Sequence, residues 1–267
     1  MSYRYLLGDS KRETARLVSQ ARLWDPTSHA LFDRLGIKRG SSVLEIGPGA
    51  GSLYRELRRR VRGGVDAVER SPAFAEGIEK IAARDGGSPG TLHRGDLLSA
   101  PLPPNHYDVI FARWVFLFLP DPIAHLRKVA RSLKPGGRLA LQEYHRETFA
   151  LVPRPEGWQD FLDADQAFFR SQGGDASLGS RLPTLYSEAG LEVVEVRPEI
   201  KVGGPGSAVW EWVTVYFMGV LDRMAAFPPF SPEKARKLRR AWRRAERQKA
   251  SLMIAPAVLE VVGRRRG

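Results

Sequence analysis

Three acids and three glycines stand at spacings that could hold a ligand: Glu45, Glu69 and Asp96, with Gly47, Gly49 and Gly51. The glycines alternate within Val43–Leu53, which reads Val-Leu-Glu-Ile-Gly-Pro-Gly-Ala-Gly-Ser-Leu. Glycine is needed where the backbone turns with positive φ, or where a ligand comes closer than a Cβ would allow. The dinucleotide fingerprint is G-x-G-x-x-G, with the pyrophosphate at a helix N-terminus. Here the spacing is G-x-G-x-G, Ser52 stands where the third fingerprint glycine would fall, and Glu45 precedes the loop. A carboxylate at that place repels a pyrophosphate but can hold an ammonium group, directly or through water. Glu69 lies 18 residues beyond Gly51, and its two oxygens match the paired hydroxyls of a ribose. That pairing indicates an adenosine-containing ligand without choosing among them.

Holding these groups takes alternating strands and helices. Val43, Leu44 and Ile46 are strand formers, and Leu53, Leu57 and Val61 then recur at helical spacing until Gly63-Gly64. Val65–Glu69 reads as a second strand, Ser71-Pro72 opens a helix through Phe74, Ile78 and Ile81, and Thr91–Asp96 holds a third strand. Tyr107–Ala112 is a buried fourth strand, and a helix through Ile123, Leu126, Val129 and Leu133 leads into the fifth, Leu139–Tyr144. Such alternation gives a parallel sheet covered on both faces, with ligand at the carboxyl ends of the strands.

The combination of Glu45, the glycine loop, Glu69, the Gly95-Asp96-Leu97 step and the Leu133-Lys134-Pro135-Gly136-Gly137 turn resembles the class I S-adenosylmethionine-dependent methyltransferases, over about residues 41–196. The resemblance implies S-adenosylmethionine as cofactor and S-adenosylhomocysteine as product. It implies a doubly wound, seven-stranded, mostly parallel α/β sheet whose last strand runs antiparallel beside the fifth. Glu45, Gly47, Pro48, Gly49 and Gly51 are then the cofactor loop, and Glu69 the ribose ligand. Asp96 accepts the adenine amino hydrogen while the Leu97 N–H donates to the ring, and Arg70 or Ser71 lines the adenine edge. Asp96 can also cap its own turn. After the fourth strand, the Asn/Asp-Pro-Pro-aromatic sequence of base-amine and glutamine methyltransferases is absent, and Ala112-Arg113-Trp114 stands instead. Arg113 and Trp114 are therefore expected at the pocket floor, with Arg113 on the cofactor carboxylate or on a neighbouring acid. His145, just past the fifth strand, is the candidate general base, beside Glu143 and Tyr144.

The parts outside this frame are helical. Residues 1–40 form an extension with Leu17, Ala21 and Trp24 on one face and Leu31, Phe32, Leu35 and Ile37 following Pro26. The resemblance implies that it covers the site, with Tyr5, Gln20 and Trp24 toward cofactor or substrate. Within the domain of residues 41–267, insertions fall at about 148–190 and 205–250. The first carries a lid helix with Asp160, Asp163 and Asp165, acids able to attract a cationic substrate. The second carries the apolar run Ala208–Leu221, whose aromatics wall a hydrophobic pocket. Leu191–Val196 is the sixth strand, and the last is expected at about Leu252–Val262, confined by Pro256 to an edge or a bulge.

The 267 residues have no cysteine, which excludes disulfides and thiolate metal sites. The five histidines lack metal-ligand spacing, so no metal is expected. Met1–Lys11 has no apolar signal core, and no apolar run reaches spanning length, so a soluble cytoplasmic protein is expected. The net charge is +12, of which Glu233–Lys249 supplies +7 on a helix with an apolar stripe through Ala235, Leu238, Trp242 and Ala245. Methyl transfer to a small organic acceptor, such as a secondary metabolite, is the reading these features favour. An RNA or protein methyltransferase using the basic helix is one alternative. A protein of this fold that binds the cofactor without transferring methyl is another.

Overall fold

The computed structural model describes residues 11–86, 88, 90–225, 227 and 230–267. A helix, α1 (Lys11–Arg34), precedes β1 (Val43–Ile46), α2 (Ser52–Val61), β2 (Asp66–Glu69), α3 (Pro72–Asp85), β3 (Leu92–Arg94) and β4 (Tyr107–Arg113). Next come α4 (Pro122–Ser132), β5 (Leu133–His145), β6 (Ala150–Val152), α5 (Trp158–Ser171), α6 (Leu182–Glu188), β7 (Leu191–Glu199) and β8 (Val202–Gly203). The chain closes with α7 (Ala208–Met224), α8 (Pro232–Glu246), β9 (Leu252–Ile254) and β10 (Ala257–Arg265).

Seven strands form one sheet in the order β3-β2-β1-β4-β5-β10-β7. All neighbours are parallel except β10, which runs antiparallel to both β5 and β7. The order reverses between β1 and β4, which opens a crevice at the carboxyl ends of those strands. Strand alternation divides the core in two. Leu44, Ile46, Ile110 and Ala112 face one side, while Val43, Val109 and Phe111 face α2 and the end of α1 on the other.

The Leu-Lys-Pro-Gly-Gly segment is an irregular start of β5, between the Tyr107↔Leu133 and Val109↔Arg138 pairs. A side chain at Gly137 would stand 2.8 Å from the Tyr107 carbonyl oxygen, so the tight approach requires glycine. The expected last strand is corrected. Pro256 separates two strands, and β10 lies buried between β5 and β7 rather than at an edge. The missing proline N–H costs no ladder bond because Pro256 falls in the break. β9 joins a second, three-stranded sheet in the order β6-β9-β8.

The N-terminal helix continues unbroken through Pro26. A row of polar links fastens it to the sheet. Asp25 accepts from Arg113 at 2.8 Å and from the Ser52 hydroxyl. Ser28 accepts from Arg113 at 2.9 Å and donates to Gln142 at 2.6 Å, and Arg34 donates to Glu260 and to Glu195. Phe32 packs edge-on against Phe111, with ring centroids 4.9 Å apart. No helix among the described residues is long and apolar enough to cross a membrane.

Candidate functional site

A cavity of about 500 Å³ opens at the crevice and runs from the glycine loop to an aromatic chamber under α1 and α7. At the loop end it is lined by Gly47, Gly49, Glu69, Arg70, Asp96 and Leu97. Gly49 has φ +53°, and a Cβ built there would meet only Leu17, at 3.5 Å. The backbone is therefore bare toward the cavity, as close ligand approach requires. Gly51 serves packing instead: a Cβ there would collide with Ile81 of α3.

Glu69 ends β2 with its carboxylate held by the Gly49 N–H at 3.1 Å and the Ser71 N–H at 2.8 Å. Burial pushes its pKa up, and these N–H groups oppose the shift. The Arg70 N–H acts on the same carboxylate, which lines the cavity and keeps acceptor capacity for an incoming hydroxyl. Asp96 accepts from the Leu98 N–H at 2.8 Å through one oxygen, capping its own turn while still lining the cavity. Glu45 lies beneath the loop, buried in β1, and does not line the cavity. Its burial raises the carboxyl pKa to about 8, with Arg113 opposing. Pro48 and Gly51 also stand outside the lining.

Arg113 and Trp114 lie where β4 ends. The Arg113 guanidinium is engaged by Asp25 and Ser28 and rests 4.9 Å from the Trp114 ring centroid. Trp114 adopts φ +55°, unusual for a residue with a side chain, and its indole enters the cavity. It stacks on Tyr144 at 5.0 Å and meets Trp24 edge-on at 5.6 Å. The next two backbone N–H groups, of Val115 and Phe116, donate to Glu143 at 3.0 and 2.7 Å. Of the cover residues, Arg16, Leu17 and Gln20 line the cavity, Trp24 packs behind Trp114, and Tyr5 lies outside the described residues.

The far half of the cavity is walled by Tyr144, Arg146, Phe149, Phe169, Trp212 and Tyr216. Arg146 is buried, with its guanidinium 4.7 to 5.3 Å from the ring centroids of Tyr216, Tyr144 and Phe169. Its Nε stands 3.5 Å from one carboxylate oxygen of Asp165, an ion pair without a hydrogen bond, and the other oxygen accepts from the Tyr216 hydroxyl at 3.1 Å. Burial pushes the Asp165 carboxyl up and Arg146 pulls it back. Asp165 thus offsets the charge that Arg146 brings to the chamber. The three acids of α5 have separate fates: Asp165 pairs with Arg146, Asp160 pairs with Lys234 at 2.8 Å, and Asp163 accepts from Gln159.

His145 does not line the cavity. Alternation along β5 places it with Glu143, while Tyr144 turns toward the chamber. Tyr144 makes no hydrogen bond through its hydroxyl among the described residues, and burial raises its pKa so that the proton stays on. Arg146, Asp25 and Ser28 were not anticipated, and Asp165, expected to attract a cationic substrate, instead pairs with Arg146. Their only sequence signal is a charge or hydroxyl inside an otherwise apolar helical or strand-end pattern. No group of three or more potential metal ligands occurs among the described residues.

A family model described as "Methyltransferase domain" matches residues 44–141. The chain is 27% identical over 172 residues to the uncharacterized methyltransferase YdaC of Bacillus subtilis, covering 64% of this chain and 85% of YdaC. It is 32% identical over 136 residues to the ubiquinone/menaquinone biosynthesis C-methyltransferase UbiE of Idiomarina loihiensis, covering 49% of this chain and 52% of that one. Identity to the sterol 24-C-methyltransferase erg6 of Aspergillus fumigatus is 29% over 117 residues, which is 43% of this chain and only 31% of that protein. The match therefore spans about half or less of the quinone and sterol relatives. The fold aligns with Haemonchus contortus phosphoethanolamine N-methyltransferase 2 bound to S-adenosyl-L-methionine, at TM-score 0.59 and 15% identity, over 100% of this chain and 60% of that one. The bare glycine and the carboxylates of Glu69 and Asp96 lining the cavity fit that cofactor. With these matches, residues 44–141 carry a methyltransferase domain, and the chain as a whole has the Rossmann-like α/β fold of such enzymes, with a cavity whose lining fits S-adenosylmethionine.

Proposed function

We propose that the chain methylates a small, largely apolar organic acceptor held in the aromatic half of the cavity. The observation that carries this reading is the continuity of one cavity from Gly49, Glu69 and Asp96 to Trp114, Tyr144, Phe169 and Trp212. Its size suits a cofactor with a compact acceptor. The names of the quinone and sterol relatives support an apolar acceptor class.

In this reading Glu69 accepts the ribose hydroxyls, Asp96 and the Leu97 N–H take the adenine edge, and Arg70 flanks it. Gly49 lets the backbone come close, while glycine at 47 makes room for Val115, which a Cβ there would meet at 2.6 Å. When bound, S-adenosylmethionine supplies a methyl group already activated by its sulfonium. The protein's task is then alignment and the exclusion of water. Trp114, Phe149, Phe169 and Trp212 keep the chamber dry, and the protonated Tyr144 hydroxyl donates a hydrogen bond to a polar atom of the acceptor. Arg113 holds α1 and Trp114 in place through Asp25 and Ser28.

The test is calorimetry with S-adenosylmethionine, followed by transfer of labelled methyl to a panel of quinols, sterols and small amines. Glu69→Ala should weaken cofactor binding at least about tenfold, the loss of a charge-assisted pair of hydrogen bonds. Tyr144→Phe should slow transfer while cofactor affinity holds. Cofactor binding with no transfer to any acceptor would overturn the reading in favour of a non-transferring protein. Transfer confined to RNA or protein would overturn it in favour of a macromolecular methyltransferase.

A further inference from the structure

The excess positive charge lies away from the cavity. Helix α8 buries Ala235, Leu238, Trp242 and Ala245, and Trp242 stacks on Phe217 at 4.2 Å. Its remaining surface is cationic: Arg236, Lys237, Arg240, Arg243 and Arg244 are exposed, and so is Arg247 just beyond its end. Lys234 in the first turn pairs with Asp160, whereas those six make no ion pair among the described residues.

The chain then passes Lys249 and enters β9. Leu252, 38% exposed, pairs with Val152 of β6, 44% exposed, and Val202 of β8, 49% exposed, pairs with Ile254. Leu252 and Ile254 share one face of β9, so all four side chains stand on the same side of the small sheet. Met253, on the opposite face, is fully buried. The outward face of this sheet is thus a contiguous apolar patch rather than scattered exposure. Lys249 lies three residues from Leu252, within about 11 Å by chain length, and Arg154 lies two from Val152, within about 7 Å. Because β6 and β9 run antiparallel, both cations lie beyond the same end of the patch, the end from which the chain arrives out of α8.

We infer that this face docks on an anionic lipid bilayer. The apolar side chains of β6, β9 and β8 sink into the headgroup boundary, and the exposed cations of α8 and its trailing turn meet the lipid phosphates. Apolar and basic groups side by side are the composition of interfacial membrane binders. Single-stranded nucleic acid would call for exposed aromatics to stack its bases, and the one aromatic on α8, Trp242, is fully buried. An apolar patch also gains nothing from a phosphate backbone. Docking in this way brings the bilayer toward the cavity, because Phe149 just before β6 and Pro256 just after β9 both line it. The inference stands apart from the acceptor reading, since membrane binding is measured with no acceptor present.

The test is flotation of the full-length protein with vesicles of phosphatidylcholine alone, or with about one third phosphatidylglycerol. The protein should float with the anionic vesicles only, and less so at high salt. Arg243→Glu with Arg247→Glu should weaken binding at least about tenfold, at roughly fivefold for each lost cation. Leu252→Ser with Val152→Ser should remove the part of the binding that survives salt. Both double variants should keep the parent's melting temperature and cofactor affinity. No flotation, equal flotation with neutral vesicles, or flotation indifferent to both double variants would overturn the inference. So would RNA binding that displaces the vesicles, or a dimer in solution that depends on Leu252.

Discussion

Glu143 offers a sharp test of how the site is held, because its carboxyl is fully buried and still organises the end of β4. One oxygen accepts from the Val115 and Phe116 N–H groups, and the other has no hydrogen-bond partner. Burial raises its pKa from the ordinary 4.5 to about 8, although those N–H groups oppose the shift. In the unfolded chain the same group ionises near its ordinary value. Between the two, the unfolded chain releases a proton that the folded chain keeps, so stability is lost as pH rises. The slope is about 1.4 kcal/mol per pH unit for one such group. Glu45, also raised to about 8, adds a second titration of the same sign.

Glu143→Gln keeps a neutral acceptor oxygen for the two N–H groups and cannot ionise. At about pH 5 the variant should be less stable by about 1 to 3 kcal/mol, because its amide N–H₂ is buried without a partner. From about pH 5.5 to about pH 7.5 the parent should lose about 3 kcal/mol more than the variant, and the two curves should converge or cross. Guanidinium unfolding followed by tryptophan fluorescence at several pH values measures this directly. Parallel curves for parent and Glu143→Gln would refute the argument, since they would mean that Glu143 does not titrate in that window. The consequence reaches the cavity, because the two N–H groups follow Trp114, whose ring floors it.

Two other perturbations separate packing from binding. Gly51→Ala should cost about 2 kcal/mol and lower the melting temperature by roughly 4 to 8 °C, since the methyl collides with Ile81 and φ is +79°. Gly49→Ala should cost only about 1 kcal/mol of stability yet weaken S-adenosylmethionine binding at least about tenfold by calorimetry, because its methyl points into open cavity. Arg146→Ala should cost about 3 to 5 kcal/mol in urea unfolding by leaving Asp165 buried and unpaired. Arg146→Met with Asp165→Leu should recover most of that stability without recovering methyl transfer.

The fold was legible where each decision is local. Val43–Ile46, Asp66–Glu69 and Tyr107–Arg113 are apolar runs closed by glycine or a charge, and their helices carry caps such as Ser71. Legibility failed at Pro256, because an apolar pattern on both sides of a proline reads as one weak strand. Only tertiary pairing assigns its halves to different sheets. It failed more mildly at Pro26, where packing of Trp24 above and Phe32 below holds one continuous helix.

The same distinction separates the two halves of the site. The cofactor half draws on residues 47–97, a short span in which spacing alone suggests a common edge. The chamber draws on residues 16–20, 113–119, 144–149, 169 and 212–216, so nothing in the sequence says that they meet. Nothing in the sequence pairs Arg146 with Asp165; only folding buries them together. The cover obeys a further constraint. Asp25, Ser28 and Arg34 pin α1 to β4, β5, β7 and β10, so the helix cannot swing as a whole without breaking these links. Upstream of Asp25, Gln20 touches Trp212 at 3.4 Å, and Arg16, Leu17 and Gln20 all face the cavity. The pinned part of α1 therefore acts as a fixed wall, and Arg16, Leu17 and Gln20, in the turns before it, are the α1 residues that can move without breaking those links.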